Sequence, residues 1–393
     1  MSKLNPWSIK LSSHQNLKSS SPLRLAFIGG GTNSAVGRVH KIAAEMDNRF
    51  KLVAGCFSMD KDINLTSAHE YGLPESNCYP SLSTLLANES ALDAIAVLTP
   101  TPNHTTDVIA CLQANVPVIC EKALTNSVTD AEAIKAVLHR TNGFLSVTYN
   151  YTGYPMLREL KSLISQGRIG KIEQLHVEMP QEGFARLDKN RQPVIPQAWR
   201  LEDKELPTLS LDLGVHVHHL ISFLTEEAPI EVVATESSFG SFRQVIDNTI
   251  CIARYSDDII CNIWYSKAAL GHRNGLRIRV YGSEGAAEWF QADPENLLLH
   301  DNTGQRLLLD RAHADVELAQ SARYNRFKAG HPAGFIEAFA NHYSDIAEAL
   351  TQFRQFQKHD NQYVFGIEDA FEGLKLLHAV HTSSETKNWV AIT

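Results

Sequence analysis

Between residues 25 and 149, short apolar runs alternate with segments of helical periodicity, and few folds accommodate that alternation. Leu25–Ile28 is an apolar run that ends at glycines, residues 36–46 read as a helix, and residues 51–57 read as a strand. The pattern continues with a short helix over 81–88, a buried strand over Ala94–Leu98 and a helix over 104–115. A strand over 117–120, a helix over 128–140 and a strand over 144–149 complete it. Repeated strand and helix predict a doubly wound parallel sheet with helices on its faces.

After Tyr151 the rhythm changes. A helix over 155–166 leads to a strand over 171–179, and a loop rich in Pro and Gln runs from 180 to 207. A helix over 212–224 precedes strands at 231–239, 248–255, 259–266, 276–282, 286–290 and 297–300. Short turns such as Ser256–Asp258 between them predict an antiparallel sheet. Helices over 331–353 and 367–382 close the chain.

At 393 residues the chain exceeds one compact domain. Its hydrophobic share of 44% supplies a core to each half. The division expected is a flexible tail over 1–22, a dinucleotide-binding domain over 23–150 and a substrate-binding and oligomerisation domain over 151–393. The C-terminal helices are expected to pack back towards the first domain. A net charge of -8 argues against a nucleic-acid or anionic-membrane surface. No apolar stretch approaches the roughly 20 residues of a membrane span. The first 21 residues lack the apolar block of a signal peptide. The six cysteines form no CxxC pair and read as reduced core residues of a cytoplasmic protein.

Gly29, Gly30 and Gly31 follow the first strand, and Gly37 sits in the turn into the next helix. Glycines let the backbone approach a pyrophosphate, and the helix N-terminus offers free N–H groups; Thr32 lies in the same loop. The interval from Gly31 to Gly37 is three residues longer than in GxGxxG. Thr99, Pro100, Asn103 and His104 form a turn at the carboxyl edge of the sheet, where ligands bind in such folds. By itself the stretch reads equally as a loop with a helix cap at Asn103. NAD-specific sites place an acid at the end of the second strand. Here that position is Phe57, followed by Ser58, so both NAD and NADP remain open as cofactors.

At this point the chain resembles the glucose–fructose oxidoreductase / inositol dehydrogenase (Gfo/Idh/MocA) family. Glu121–Leu124 resembles its Glu-Lys-Pro motif, and residues 212–216 resemble its Asp-x-Gly-x-His motif. Residues 99–104 resemble its Thr-Pro-Asn turn, and residues 281–285 resemble its sheet-turn signature. The resemblance implies a Rossmann domain followed by an α+β domain with a large open, mostly antiparallel sheet. It implies NAD(P)-dependent oxidation or reduction of sugars, inositols or nucleotide sugars. It gives Lys122 the catalytic lysine's place, Asp212 the substrate aspartate's and His216 the proton-transfer histidine's. It also implies a homodimer or homotetramer formed through the C-terminal sheet. Ala123 stands where the family has proline, and His219 stands where an aspartate often follows. A non-proline cis bond is costly, so the Lys122–Ala123 bond is expected trans, or cis only if the cofactor pocket holds it.

The chemistry suits these residues. An imidazole titrates near operating pH and can take a hydroxyl proton. Asp212 lies one helical turn before His216 and can orient it or a substrate hydroxyl. Lys122 can stabilise negative charge on the reacting oxygen, and the nicotinamide does the redox work. Each residue alone has a plainer reading: a structural histidine, a solvated lysine, an N-cap aspartate. His216 and His219 share a face without a further ligand to complete a metal set. Tyr149, Asn150, Tyr151, Trp199, Arg200, Lys267, His272 and Asn274 are further candidates for contacting a polyhydroxylated ring. Two other functions compete: a non-catalytic NAD(P)-binding regulator, and a glycosidase that uses bound NAD for transient oxidation.

Overall fold

The computed structural model describes residues 21–393. The mobile tail expected over 1–22 therefore lies outside the described residues, apart from its last two positions. β1 (Leu23–Gly29), α1 (Gly37–Met46) and β2 (Phe50–Cys56) open the chain, followed by α2 (Lys61–Glu70) and α3 (Leu82–Asn88). β3 (Ala94–Leu98), α4 (Thr101–Gln113), β4 (Val118–Cys120), α5 (Val128–Thr141) and β5 (Leu145–Val147) complete the first half. The five strands form a parallel sheet in the order β2-β1-β3-β4-β5. The order reverses between β1 and β3, and ligands bind at the carboxyl ends of strands beside such a switch.

The second half holds α6 (Pro155–Ser165), β6 (Ile172–Pro180), α7 (Val215–Thr225), β7 (Pro229–Ser237), β8 (Asn248–Tyr255) and β9 (Ile260–Ser266). β10 (Arg277–Gly282), β11 (Gly285–Phe290), β12 (Asp293–Asp301) and β13 (Arg306–Leu309) follow, then α8 (Phe335–Phe356), α9 (Ile367–Thr386) and β14 (Val390–Ala391). These strands make one nine-stranded sheet, antiparallel except where β6 pairs with β9. The chain is thus an α/β protein with a doubly wound parallel sheet and a large, mostly antiparallel one.

Three elements escape the sequence reading, for local reasons. α2 buries only Asn64, Ser67 and Ala68, so it carries no apolar stripe. β13 and β14 are short edge strands. α4 begins at Thr101 rather than His104, with Pro100 at its N-cap, so Asn103 does not cap it. Pro102 is tolerated there because first-turn N–H groups have no helical partner anyway.

Helices α6, α7 and α9 cover one face of the large sheet. On α6, the fully buried Arg158 donates to Asp345 of α8 at 2.5 Å, to the Tyr324 hydroxyl at 2.7 Å and to the Thr152 carbonyl at 2.6 Å. Arg323 donates to the other oxygen of Asp345 at 2.7 Å. α8 in turn packs on α1, where Tyr343 and Phe339 meet His40. This network therefore fixes the helix that bridges the two sheets. Removing one partner of a buried pair leaves an unpaired charge and costs about 3–5 kcal/mol. Asp345→Ala is expected to lower the unfolding free energy by about that amount in urea denaturation; a loss below about 1 kcal/mol would show that the network is not holding α8.

Candidate active site

The segments that follow β1, β4 and β5 at the carboxyl end of the parallel sheet converge on a cavity of about 240 Å³. Its floor comes from the second half of the chain, through residues 210–216 and the end of β6.

After β1, Gly29 and Gly30 adopt φ of 75° and 71°, which few side chains tolerate. A Cβ on Gly37 would lie 1.8 Å from the Gly30 carbonyl oxygen, so the loop closes against the helix only with glycine there. Val36 is the N-cap of α1, and no side chain caps that end. The uncapped N–H groups and the close glycine turn fit a pyrophosphate. Thr32 is tied by its backbone N–H to Ser67 Oγ at 2.9 Å.

After β2, the Phe57 ring turns inward against Phe27 and Tyr71 and is 2% exposed. Ser58 is half-buried and accepts from the Asp60 backbone N–H at 3.1 Å. Asp60 is itself consumed as the N-cap of α2, accepting from Asp62 and Ile63.

After β3, Thr99 donates to Asp107 at 2.8 Å, while Pro100 and Asn103 are exposed at the rim. His104 is only 1% exposed and bridges the carbonyls of Thr99 (2.7 Å) and Ala123 (2.9 Å). Contrary to the cofactor-contact expectation, it does not line the cavity and instead clamps the loop that carries Lys122.

After β4, Glu121 accepts from His40 at 2.9 Å and from the Thr148 hydroxyl at 2.6 Å. Burial pushes its carboxyl up, but His40, Lys122 and Thr148 together hold it below its ordinary value. The Lys122–Ala123 peptide bond is cis, the second of the two conformations anticipated. Lys122 Nζ donates to the backbone carbonyl of Asp212 at 2.7 Å and to its Oδ1 at 2.8 Å.

Asp212 lies in a wide π-type turn, Ser210–Gly214, ahead of α7, so it does not cap the helix. Its Oδ2 accepts from Arg200 at 2.7 Å and from Lys267. Burial alone would raise this carboxyl. Lys122, Lys267 and Arg200 outweigh burial and hold it well below the usual carboxylate range.

His216, one turn later, is 5% exposed, and the edge of the Tyr151 ring lies against it with centroids 4.7 Å apart. Burial first, and then Lys122, depress the imidazole well below its ordinary value, so it is neutral.

The further candidates divide. Asn150, Tyr151, Asp212 and His216 line the cavity, and Asn274 donates to the Tyr151 hydroxyl at 3.0 Å. Arg200 and Lys267 stand behind Asp212, and Trp199 lies under the Arg200 guanidinium at 4.4 Å. Two expectations fail. Tyr149 is 2% exposed, stacked between His219 and Phe365, because its ring completes the core behind α7. His272 lies exposed on a turn, and the neighbouring Asn274 makes the inward contact instead.

Gln181, Val36, Phe335 and Phe339 also line the cavity and were not singled out from the sequence. Gln181 directly follows β6, and its place at a strand end beside an aromatic-rich cleft was the available signal. Phe335 and Phe339 carried none, since an i, i+4 aromatic pair at a helix start reads as ordinary core.

A glycine loop at a sheet switch point, with a lysine, an aspartate and a histidine gathered beside it, defines a dinucleotide-binding oxidoreductase. Residues 23–149 match the oxidoreductase family with an NAD-binding Rossmann fold, and residues 157–288 match the GFO/IDH/MocA C-terminal domain; the chain belongs to this family. It is 30% identical over 385 residues to an uncharacterized oxidoreductase, YfiI, of Bacillus subtilis, covering 94% of this chain and 97% of that one. Among solved structures, an oxidoreductase from Sinorhizobium meliloti is 32% identical with a TM-score of 0.82, over 94% of this chain and 100% of that one. An inositol dehydrogenase homolog from Azotobacter vinelandii, complexed with NADH and myo-inositol, is 27% identical with a TM-score of 0.85, over 95% and 98% of the two chains.

The environment of Phe57 and Ser58 bears on cofactor choice, because the residue that ends β2 carries no carboxylate and Asp60 caps α2 through its Oδ1. A hydrogen bond to a charged group contributes about 1.5–3 kcal/mol, or roughly tenfold to a hundredfold in affinity. NAD and NADP are therefore expected to differ by less than about thirtyfold in binding by calorimetric titration or in kcat/KM. A preference for NAD beyond about a hundredfold would mean that another residue supplies the acceptor.

Proposed function

We propose that this oxidoreductase transfers a hydride between a nicotinamide and a hydroxyl-bearing carbon of a sugar, inositol or nucleotide sugar. The observation that carries this reading is the gathering of Lys122, Asp212 and His216, from the two halves of the chain, around one cavity. When bound, NAD or NADP supplies the hydride acceptor or donor. The loops at Gly29–Gly37, Ser58, Thr99–Asn103 and Glu121 hold it, through residues 23–150. Residues 151–393 hold the substrate.

Within the site, neutral His216 accepts the proton of the substrate hydroxyl, because its imidazole is free of any salt bridge. Lys122 donates to the same oxygen and stabilises its developing charge. Asp212, kept ionised by its cations, fixes the Lys122 ammonium and accepts from a neighbouring hydroxyl. Asn150, Tyr151 and Gln181 supply polar groups and one aromatic face for a polyhydroxylated ring. A regulator that only bound the cofactor would have no use for this set of residues.

Screening sugars, inositols and nucleotide sugars for NAD(P)H absorbance tests the reading directly. Net absorbance change supports a dehydrogenase, bond cleavage without net change supports a glycosidase, and binding alone supports a regulator. Lys122→Ala or His216→Ala is expected to lower kcat by on the order of 10²-fold or more, with cofactor affinity retained. Near-normal turnover in either variant would sink the assignment.

The uncovered face of the large sheet points to assembly. Ile250, Ile252 and Ile260 are 50%, 40% and 44% exposed, while Cys251, Ala253 and Cys261 between them are buried against the helices. The pair Arg279–Glu178 lies on the same outer face at 3.0 Å. A contiguous apolar patch with charged neighbours suits a two-fold interface with a second copy, giving a homodimer or homotetramer. Light scattering at working concentration is expected to give at least twice the chain mass; a clean monomer refutes this.

A further inference from the structure

α7 carries two histidines three residues apart that open on different cavities. His216 lines the cavity of the Lys122–Asp212 site, while His219 lines a second cavity of about 320 Å³ with Asp369, Glu372, Glu226 and Glu227. Each ring is 5% exposed. Nδ1 of His216 and Nε2 of His219 are sealed from solvent and have no hydrogen-bond partner among the described residues. Buried polar atoms without partners are rare, and two on successive turns of one helix require a common explanation. The two nitrogens do not bond to each other directly, and an ordered water between them would satisfy both.

The surroundings are defined on every side. His216 faces Lys122, Asp212 and Tyr151, with the edge of Tyr149 at 6.5 Å between centroids. His219 lies against Tyr149 and Phe365, each at 4.0 Å between centroids, and near His218 and His342. In the second cavity the only lysine, Lys161, is already held by Glu226 and the Phe223 carbonyl, each at 2.6 Å. The remaining carboxylates make that cavity a proton acceptor.

We infer that His219 relays the reaction's proton from His216 to the second cavity, on the far side of α7. The inference rests on the reading of His216 as the base. Oxidation of a carbinol breaks its C–H bond, the hydride going to the nicotinamide, and its O–H bond, the proton going to Nε2 of His216. Nε2 is the nitrogen of that ring left unsealed. His216 then loses the proton on Nδ1, through an intervening water, to Nε2 of His219. His219 releases the proton on its Nδ1 to water in the second cavity. Each imidazole gains one proton and loses one, so both end neutral, and reduction runs the same path backwards. Burial keeps both imidazoles well below their ordinary value, so neither retains the proton it receives. With substrate and cofactor filling the first cavity, this path stays open while direct escape to solvent is closed.

Two variants test the relay, using the best substrate from the panel. His219→Phe fits the aromatic slot between Tyr149 and Phe365, and His219→Gln keeps a polar partner for the buried nitrogen; neither can carry a proton. In both, kcat is expected to fall about tenfold or more, with KM and cofactor affinity unchanged. A third change, His219→Ala, opens that slot, and added imidazole should restore part of its rate, which a purely structural defect would not permit. A kcat within twofold of the parent, or a loss in His219→Ala that imidazole does not restore, overturns the relay. A crystal structure should also show a water joining the two nitrogens, and an empty apolar gap there overturns it. The outcomes separate from those for the base itself. Normal turnover in His216→Ala removes the base, whereas a slow His216→Ala with fast His219 variants removes the relay alone.

Discussion

The carboxylate of Asp212 joins parts of the chain that have no other reason to meet. It receives Lys122 from the loop after β4, Arg200 from the long loop before α7, and Lys267 from the residue after β9. Three cations this close repel one another. Two unit charges about 4 Å apart interact by about 4 kcal/mol at an effective dielectric of 20. Only an anion at their centre makes the arrangement favourable, and the four groups are largely withdrawn from water, so screening is weak. At the cavity, one side chain thus ties together segments from both halves of the chain.

The Lys122 end of that contact is braced from behind. His104 links the carbonyl of Thr99, in the loop after β3, to that of Ala123 beside Lys122, and Glu121 is fastened to His40 and Thr148. His40 in turn meets the Tyr343 hydroxyl of α8 at 2.6 Å. The brace thus runs from the Glu-Lys pair through His40 of the glycine-loop helix α1 to α8. A lysine on a flexible stem loses much rotamer freedom when fixed, and fixing its backbone first lowers the part of that cost borne at the site. The core is built the same way, since one apolar cluster runs without a break from Ala26 of β1 to Val380 of α9.

Much of this was legible in the residues. Strand–helix alternation marked the parallel sheet because each buried strand is a short run of apolar residues, as in Ala94–Leu98. The Asp212–His216 pair was legible because helical spacing places i and i+4 together. What stayed hidden depends on side-chain direction. Tyr149 and Tyr151 are two residues apart at a strand end, yet one stacks in the core and the other faces the cavity. His272 and Asn274 share a loop, and the turn alone decides which reaches inward. α2 was hidden for a different cause: it is held by its Asp60 cap and by Asn64, which accepts from the Phe57 N–H at 2.7 Å and donates to the Tyr79 carbonyl at 2.8 Å, and no apolar stripe reveals it.

Asp212 and His216 occupy adjacent turns beside the same lysine and end with opposite charge behaviour. Burial by itself would push both towards their neutral forms. The cations decide the difference. Beside Asp212 they favour the charged carboxylate, and Lys122 beside His216 disfavours the charged imidazolium. One positive field thus sets both protonation states, an ionised acid and a neutral base, which is the combination that removing a proton from a hydroxyl requires. Neither state needs a second device. The same field explains why His216 makes no salt bridge: a carboxylate near enough to pair with it is already taken by lysine and arginine. Under the proposed reading, a neutral imidazole that no protein carboxylate has claimed is available to accept a proton from a substrate hydroxyl.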